Sequence, residues 1–164
     1  MQFAVSISES HPADAGAHFA KTNRGLFLAI AVLAVAGIVV SAVSLQRHYA
    51  KSASAFCDIG EKFNCDIVNR SEYSSVMGIP VAGIGVAGYG VLLILATLYR
   101  TQPETPTWLV AAAIAGLSFA LYLTYVEGYV LRTWCILCLS SLGMIAGITV
   151  LAGVVKLKAV SLRS

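Results

Sequence analysis

The chain has 164 residues, of which 58% are hydrophobic and only 12% are charged. Together with a mean hydropathy of +0.80, this excludes an ordinary soluble domain, in which about 25% of residues are charged. The net charge of +3 is small, and Lys and Arg do not cluster with aromatic residues, which argues against a nucleic-acid partner. The length suits one domain, and the composition predicts a polytopic membrane protein.

The first apolar run covers residues 25–45 and contains no charged residue. At about 1.5 Å per helical residue it is long enough to cross a hydrocarbon core of about 30 Å. It is too long for the apolar region of a signal peptide, which favours a retained span over a cleaved leader. Residues 1–24, which precede it, are mixed in composition and are predicted to form a mobile cytoplasmic tail.

A polar interval follows at residues 46–79 and contains Cys57 and Cys65. It is too long for a hairpin connection, so it is predicted to be a functional loop, partly helical and lying on the membrane surface. Pro80 then stands where a helix is expected to begin, because the first turn of a helix does not need its missing N–H.

Three further apolar stretches complete the predicted membrane domain of residues 25–155, and residues 156–164 form a second short tail. Small residues recur within these stretches, which allows neighbouring helices to approach closely. The fold class predicted is therefore an all-α membrane protein, a four-transmembrane-helix bundle with a cysteine-bearing loop. Its second to fourth spans cover about 81–99, 109–126 and 135–155.

Four spans place both termini on one side of the membrane and both cysteine-bearing segments on the other. Basic residues on the termini side lie close to the ends of the spans, as the positive-inside rule expects for a cytoplasmic face. Paired cysteines persist mainly outside the cytosol. We therefore expect cytoplasmic termini and extracytoplasmic cysteines, the basic residues on the termini side being Lys21, Arg24, Arg100, Lys156, Lys158 and Arg163.

The four cysteines form two pairs, Cys57 with Cys65 and Cys135 with Cys138. The second is a Cys-x-x-Cys pair at the start of a helix, where the positive end of the helix dipole favours a thiolate. Relay by thiol–disulfide exchange is the favoured interpretation, since a structural disulfide that closes so short a ring adds little stability. The alternatives are a non-catalytic membrane assembly or binding protein stapled by structural disulfides, and a four-thiolate zinc site.

The expected direction of electron flow follows from where the two pairs lie. A reduced partner protein can reach the loop pair, whereas Cys135 and Cys138 face the apolar interior of the bundle. Electrons should pass from partner to loop pair, then to the Cys-x-x-Cys pair, and finally to a lipid-soluble two-electron acceptor such as a quinone. Leu139 follows Cys138, which excludes the Cys-x-x-Cys-His motif of c-type haem attachment.

The order of these motifs resembles the vitamin K epoxide reductase family, and most closely its bacterial members. The resemblance covers about residues 25–155 and rests on the loop pair, the segment 75–80 and the segment 134–138. It implies a four-helix bundle around a quinone site, with ubiquinone or menaquinone as cofactor, in the bacterial cytoplasmic (inner) membrane. It also implies a thioredoxin-fold periplasmic partner. Many bacterial relatives carry that partner as a fused domain, and here it is expected to act in trans.

The resemblance also implies a role for each cysteine. Cys57 would be attacked by the partner, Cys65 would attack Cys135, and Cys138 would lie next to the quinone. Animal members have an Asn in the segment matching Ser74-Ser75 and a Tyr at the place of Leu142. The polar clamp on the quinone is therefore altered here, which argues against reduction of an epoxide.

Three more residues are candidates for the quinone site. Arg132 lies three residues before Cys135 and is suited to stabilise negative charge there, although an interfacial Arg is an equally good interpretation. Tyr122 and Tyr125 lie on the third span and are candidates to face the quinone, with helix packing as the alternative.

Overall fold

The computed structural model describes residues 12–49, 65–69, 71–76 and 78–161. Cys57 and the rest of 50–64 lie outside these residues. The described helices are α1 (Pro12–Thr22), α2 (Arg24–Tyr49), α3 (Cys65–Asn69), α4 (Val81–Thr97), α5 (Thr105–Tyr125) and α6 (Ile136–Ser161). A 3₁₀ turn (Glu72–Ser74), the strands β1 (Ser75–Val76) and β2 (Ile79–Pro80), and a π-helical segment (Val126–Leu131) complete the described elements.

Within the described residues, three helical stretches are long and apolar enough to cross a membrane. They are Arg24–Tyr49, Thr105–Leu131 and Ile136–Ser161. Helix α4 is also apolar but has 17 residues, which corresponds to about 25 Å of helix. The predicted fold class, an all-α membrane protein, is confirmed at this level.

The four long helices pack into one bundle. Helix α2 contacts α4 and α6, and α5 contacts α4 and α6. Their shared core includes Phe27 from α2, Leu92 from α4, Leu109 from α5 and Ile148 from α6. Large apolar side chains are exposed on the outside of the bundle, as expected for surfaces that face lipid.

Glycines allow the helices to approach closely at two places. A Cβ atom on Gly37 of α2 would lie 2.4 Å from the ring of Tyr89 on α4. A Cβ atom on Gly116 of α5 would lie 3.1 Å from the Ile145 side chain on α6. Gly116 is one of the small residues that recur in the third predicted span, and here it makes the close contact that such residues allow.

Helix α1 occupies part of the stretch that the sequence analysis expects to be a mobile tail. Its end packs on α2, since the rings of Phe19 and Phe27 meet edge to face at 6.5 Å. The Asn23 side chain donates a hydrogen bond to the Phe19 carbonyl at 3.0 Å and bridges the two helices. With 11 residues of mixed composition, this helix is too short to cross a membrane.

A small hairpin brings the chain from α3 to α4. Strands β1 and β2 are antiparallel, with Ser75 opposite Pro80 and Val76 opposite Ile79. Gly78 in the turn has a φ of +82°, a conformation that glycine adopts without strain. The hairpin places Pro80 directly before α4, where its missing N–H costs nothing.

Candidate redox site

Three of the four predicted cysteines meet at one end of the bundle. Cys65 at the start of α3 and Cys135 just before α6 are both buried and form a cluster with Val68. Cys138 packs against this cluster. The Cys135 thiol interacts with the side chains of both Cys138 and Cys65. Cys57 lies outside the described residues, so its place relative to this cluster stays a prediction.

Helix α3 is tied to the end of α2 by a small polar network. The Asn69 side chain donates to the Cys65 carbonyl at 2.9 Å, and His48 Nδ1 on α2 donates to the Asn69 carbonyl. Ser74 Oγ lies 3.4 Å from the same His48 nitrogen and donates to the Ser71 carbonyl at 2.7 Å. These bonds hold the short helix that carries Cys65 over the bundle.

The surroundings of Cys135 favour its thiolate. A hydrogen bond from the Cys138 side chain lowers the pKa of the Cys135 thiol below its usual value. Burial opposes this effect, while the Cys138 backbone and the Cys65 side chain also act to lower the pKa. Hydrogen bonds to the charged form stabilise it, so Cys135 is the better leaving group of an exchange reaction.

A buried carboxylate completes the cluster. Glu127 lies in the π-helical segment and is only 2% exposed. Its Oε2 accepts a hydrogen bond from the Cys135 backbone N–H at 3.1 Å, and its side chain also interacts with Cys138. The sequence analysis missed Glu127 because it ended the third span at 126. An acidic residue inside a continuous apolar helix is the signal that could have found it.

The π-helical segment and the turn after it explain how Glu127 reaches Cys135. Arg132 adopts a left-handed conformation with a φ of 50°, and the Thr133 N–H donates to the Glu127 carbonyl at 3.2 Å. A Cβ atom on Gly128 would lie 3.2 Å from the Trp134 ring, so the glycine lets the returning chain pack closely. π-Helical insertions are frequent at functional sites.

A cavity of about 440 Å³ opens beside the cluster, between the four long helices. This volume falls within the usual range for small-molecule sites, about 300–1,000 Å³. Its walls are mostly apolar, and Glu127 and Cys138 line it together with His48, Asn69 and Ser74. The cavity therefore combines an apolar body with a few polar groups next to a reactive thiol.

Of the residues predicted to contact a quinone, Cys138 and Ser74 line this cavity. Ser75, Leu142 and Arg132 are not among its lining residues, and Leu142 packs against the bundle core instead. Tyr122 and Tyr125 are each 57% exposed on the outside of the bundle.

Tyr89 lines the cavity and was not singled out from the sequence. Its hydroxyl donates to the Ser141 carbonyl at 2.7 Å and lies 2.9 Å from Ser141 Oγ. Ser141 is close to one helical turn beyond Cys138 on α6, so this bond couples α4 to the part of α6 that carries Cys138. The signal available was a lone Tyr among the glycines of the second span, at a depth where its hydroxyl requires a partner.

Comparison with known proteins gives one family-model match. The model described as the Vitamin K epoxide reductase family matches residues 28–153, which is most of the chain. The matched range contains all four cysteines, Glu127 and Tyr89.

Proposed function

The chain belongs to the vitamin K epoxide reductase family of quinone-using membrane thiol–disulfide oxidoreductases, and we propose a specific electron path through it. Electrons pass from a reduced extracytoplasmic thioredoxin-fold protein to Cys57 and Cys65, then to Cys135 and Cys138, then to a quinone. Protein disulfides are the product. The observation that supports this proposal most is the contact between Cys65 and Cys135 beside a cavity that Cys138 lines.

Each exchange step forms one S–S bond and breaks another. The Cys65 thiolate attacks Cys135 of the Cys135–Cys138 disulfide, so the Cys65–Cys135 bond forms and Cys138 leaves as a thiolate, which then takes up the proton that Cys65 gave up. Cys57 then attacks Cys65, and Cys135 leaves as the second thiolate. The lowered pKa of the Cys135 thiol suits this second step, because the lower-pKa sulfur leaves faster.

The cavity fits a quinone better than a polar ligand. Its walls are mostly apolar, while Ser74, His48 and Asn69 provide polar groups near the end that carries α3, and Cys138 faces it from α6. A quinone bound there would accept two electrons and two protons from the thiol pair. Tyr89 and Ser141 bond to one another, which holds α4 and α6 at a fixed spacing along the wall.

We propose that α4 is the fourth membrane span. Its length of about 25 Å lies at the lower end of spanning lengths, and the other three long helices flank the same core. With four spans, the tails lie in the cytoplasm and the cysteines face the extracytoplasmic side of a bacterial inner membrane. The thioredoxin-fold partner then docks on that side.

The proposal is tested by quinone consumption. Purified protein in lipid, supplied with a quinone and a reduced dithiol partner, should consume quinone in proportion to the disulfide formed. Cys138→Ala should abolish turnover, since it removes the thiolate next to the cavity, whereas the nearby Ser140→Ala should not. A Cys138→Ala protein that turns over at the normal rate would contradict the proposed path.

A further inference from the structure

Oxidation of the Cys138 thiol releases a proton as well as electrons, and the structure offers one group to accept that proton. Glu127 is the only carboxylate that lines the cavity within the described part of the chain. Its side chain lines the cavity together with Cys138 and accepts from the Cys135 N–H at 3.1 Å. The bond to the N–H alone would make Glu127 a structural cap for the start of α6, but its place on the cavity wall with Cys138 brings a carboxylate to a reactive thiol.

A Glu127 carboxylate and a Cys138 thiolate would repel one another strongly at this buried position. Glu127 is almost fully buried, and no Lys or Arg lines the cavity among the residues that the structure describes. The titratable groups that face this region are Cys135 and Cys138 near α6, Cys65 on α3, His48 on α2, Tyr89 on α4 and Tyr73 in the 3₁₀ turn. Close anionic sites in such surroundings titrate as a coupled pair that retains one proton.

We propose that Glu127 is a catalytic residue that takes the proton of the Cys138 thiol and holds it beside the cavity. This inference rests on the proposed function, because it assigns a proton path to the same thiol. In the transfer step the S–H bond of Cys138 breaks and an O–H bond forms on Glu127. No electrons are transferred in this step, and Glu127 and Cys138 together keep a single negative charge throughout.

The complete reaction then balances. Starting from two thiols, formation of the Cys135–Cys138 disulfide releases two electrons and two protons, and a quinone held in the cavity would supply the acceptor for them. One proton is the one held by Glu127, and the other is that of Cys135. Glu127 ends as a carboxylate, ready for the next cycle, and its position on the cavity wall means that the proton does not have to cross apolar protein.

Glu127→Gln separates this role from a structural one. The amide retains an oxygen that accepts from the Cys135 N–H, so the cap is preserved while the proton acceptor is lost. Glu127→Asp keeps an acid with a shorter reach. Glu104→Gln is the matched control, because Glu104 is exposed in the connection before α5, at the opposite end of the bundle.

The first measurement requires neither quinone nor partner. In a protein carrying Cys57→Ala, Cys65→Ala and Cys135→Ala, the ultraviolet absorbance of the Cys138 thiolate is followed against pH, with a cysteine-free protein subtracted. Adding Glu127→Gln should move the midpoint to lower pH by at least about one unit, because it removes a neighbouring negative charge. Adding Glu104→Gln should leave the midpoint where it is.

The second measurement is turnover of the protein with all four cysteines. Glu127→Gln should slow it roughly 100-fold, within the usual contribution of a positioned acid or base, and Glu127→Asp should recover part of that loss. An unshifted Cys138 titration in a folded Glu127→Gln protein overturns the inference, and so does unchanged turnover. Neither result tests the electron path. That path is contradicted separately if Cys138→Ala turns over at the normal rate.

Discussion

Gly37→Ala should destabilise the protein and disturb the cavity, although it adds only one methyl group. The new Cβ would lie 2.4 Å from Tyr89 Cε1 and 2.5 and 2.6 Å from two other ring atoms. The ring cannot simply move aside, because its hydroxyl is bonded to the Ser141 carbonyl at 2.7 Å. Either α2 and α4 separate or the bond between Tyr89 and Ser141 breaks.

The size of the effect follows from these two costs. Overpacking a close contact costs about 1–3 kcal/mol, and loss of a buried hydrogen bond adds about 1 kcal/mol. Replacing a helical glycine by alanine stabilises the helix by up to about 1 kcal/mol. The net loss in the free energy of unfolding should therefore be about 1–3 kcal/mol.

Unfolding by a denaturing detergent in lipid bicelles measures this loss. Gly25→Ala in the same helix is the control, because nothing lies within 4 Å of its added Cβ, and it should change stability between zero and a gain of about 1 kcal/mol. Tyr89→Ala should remove most of the penalty of Gly37→Ala in a double-mutant cycle. If Gly37→Ala were as stable as Gly25→Ala, the packing of α2 on α4 described above would be wrong.

Two further predictions concern the cysteine cluster. In a protein without Cys57 and Cys65, Cys138→Ser should keep the Cys135 thiolate to lower pH than Cys138→Ala does, because a hydroxyl still donates the bond that lowers the pKa of Cys135. The thiolate absorbance is lost as pH falls through that lowered pKa. Equal titration curves for the two variants would contradict this role of Cys138. His48→Ala should slow disulfide formation between Cys65 and Cys135 roughly fivefold. Loss of the bond to the Asn69 carbonyl should weaken the docking of α3 on the bundle by about 1 kcal/mol. His18→Ala, at an exposed position on α1, should have no effect.

Local signals in the sequence explain why some helix starts were predictable. Pro80 and the Cys-x-x-Cys pair mark the predicted starts at 81 and 135, and α4 and α6 begin at Val81 and Ile136. The third span was cut short because Glu127 looks like the start of a polar exit loop. In the structure the helix continues through Glu127 as a π-helical segment, and the buried carboxylate is satisfied by the Cys135 N–H.

The residues that line the cavity were harder to predict for a physical reason. Helices that are apolar all round carry no periodic signal that separates the lipid-facing side from the bundle-facing side. Hydropathy alone therefore does not separate Tyr122 and Tyr125 from Tyr89, yet the first two face outwards and Tyr89 is buried. Tyr89 packs against Gly37 of α2 and lines the cavity, and that contact depends on how the two helices meet.

Paired cysteine variants test the order of sulfur exchange. Cys57→Ser with Cys138→Ser leaves Cys65 and Cys135, whereas Cys57→Ser with Cys135→Ser leaves Cys65 and Cys138. Under mild oxidation, followed by acid quenching and mass spectrometry of the peptides, the first protein should form its disulfide much faster than the second. Faster formation of the Cys65–Cys138 disulfide, or none in either protein, would contradict the account.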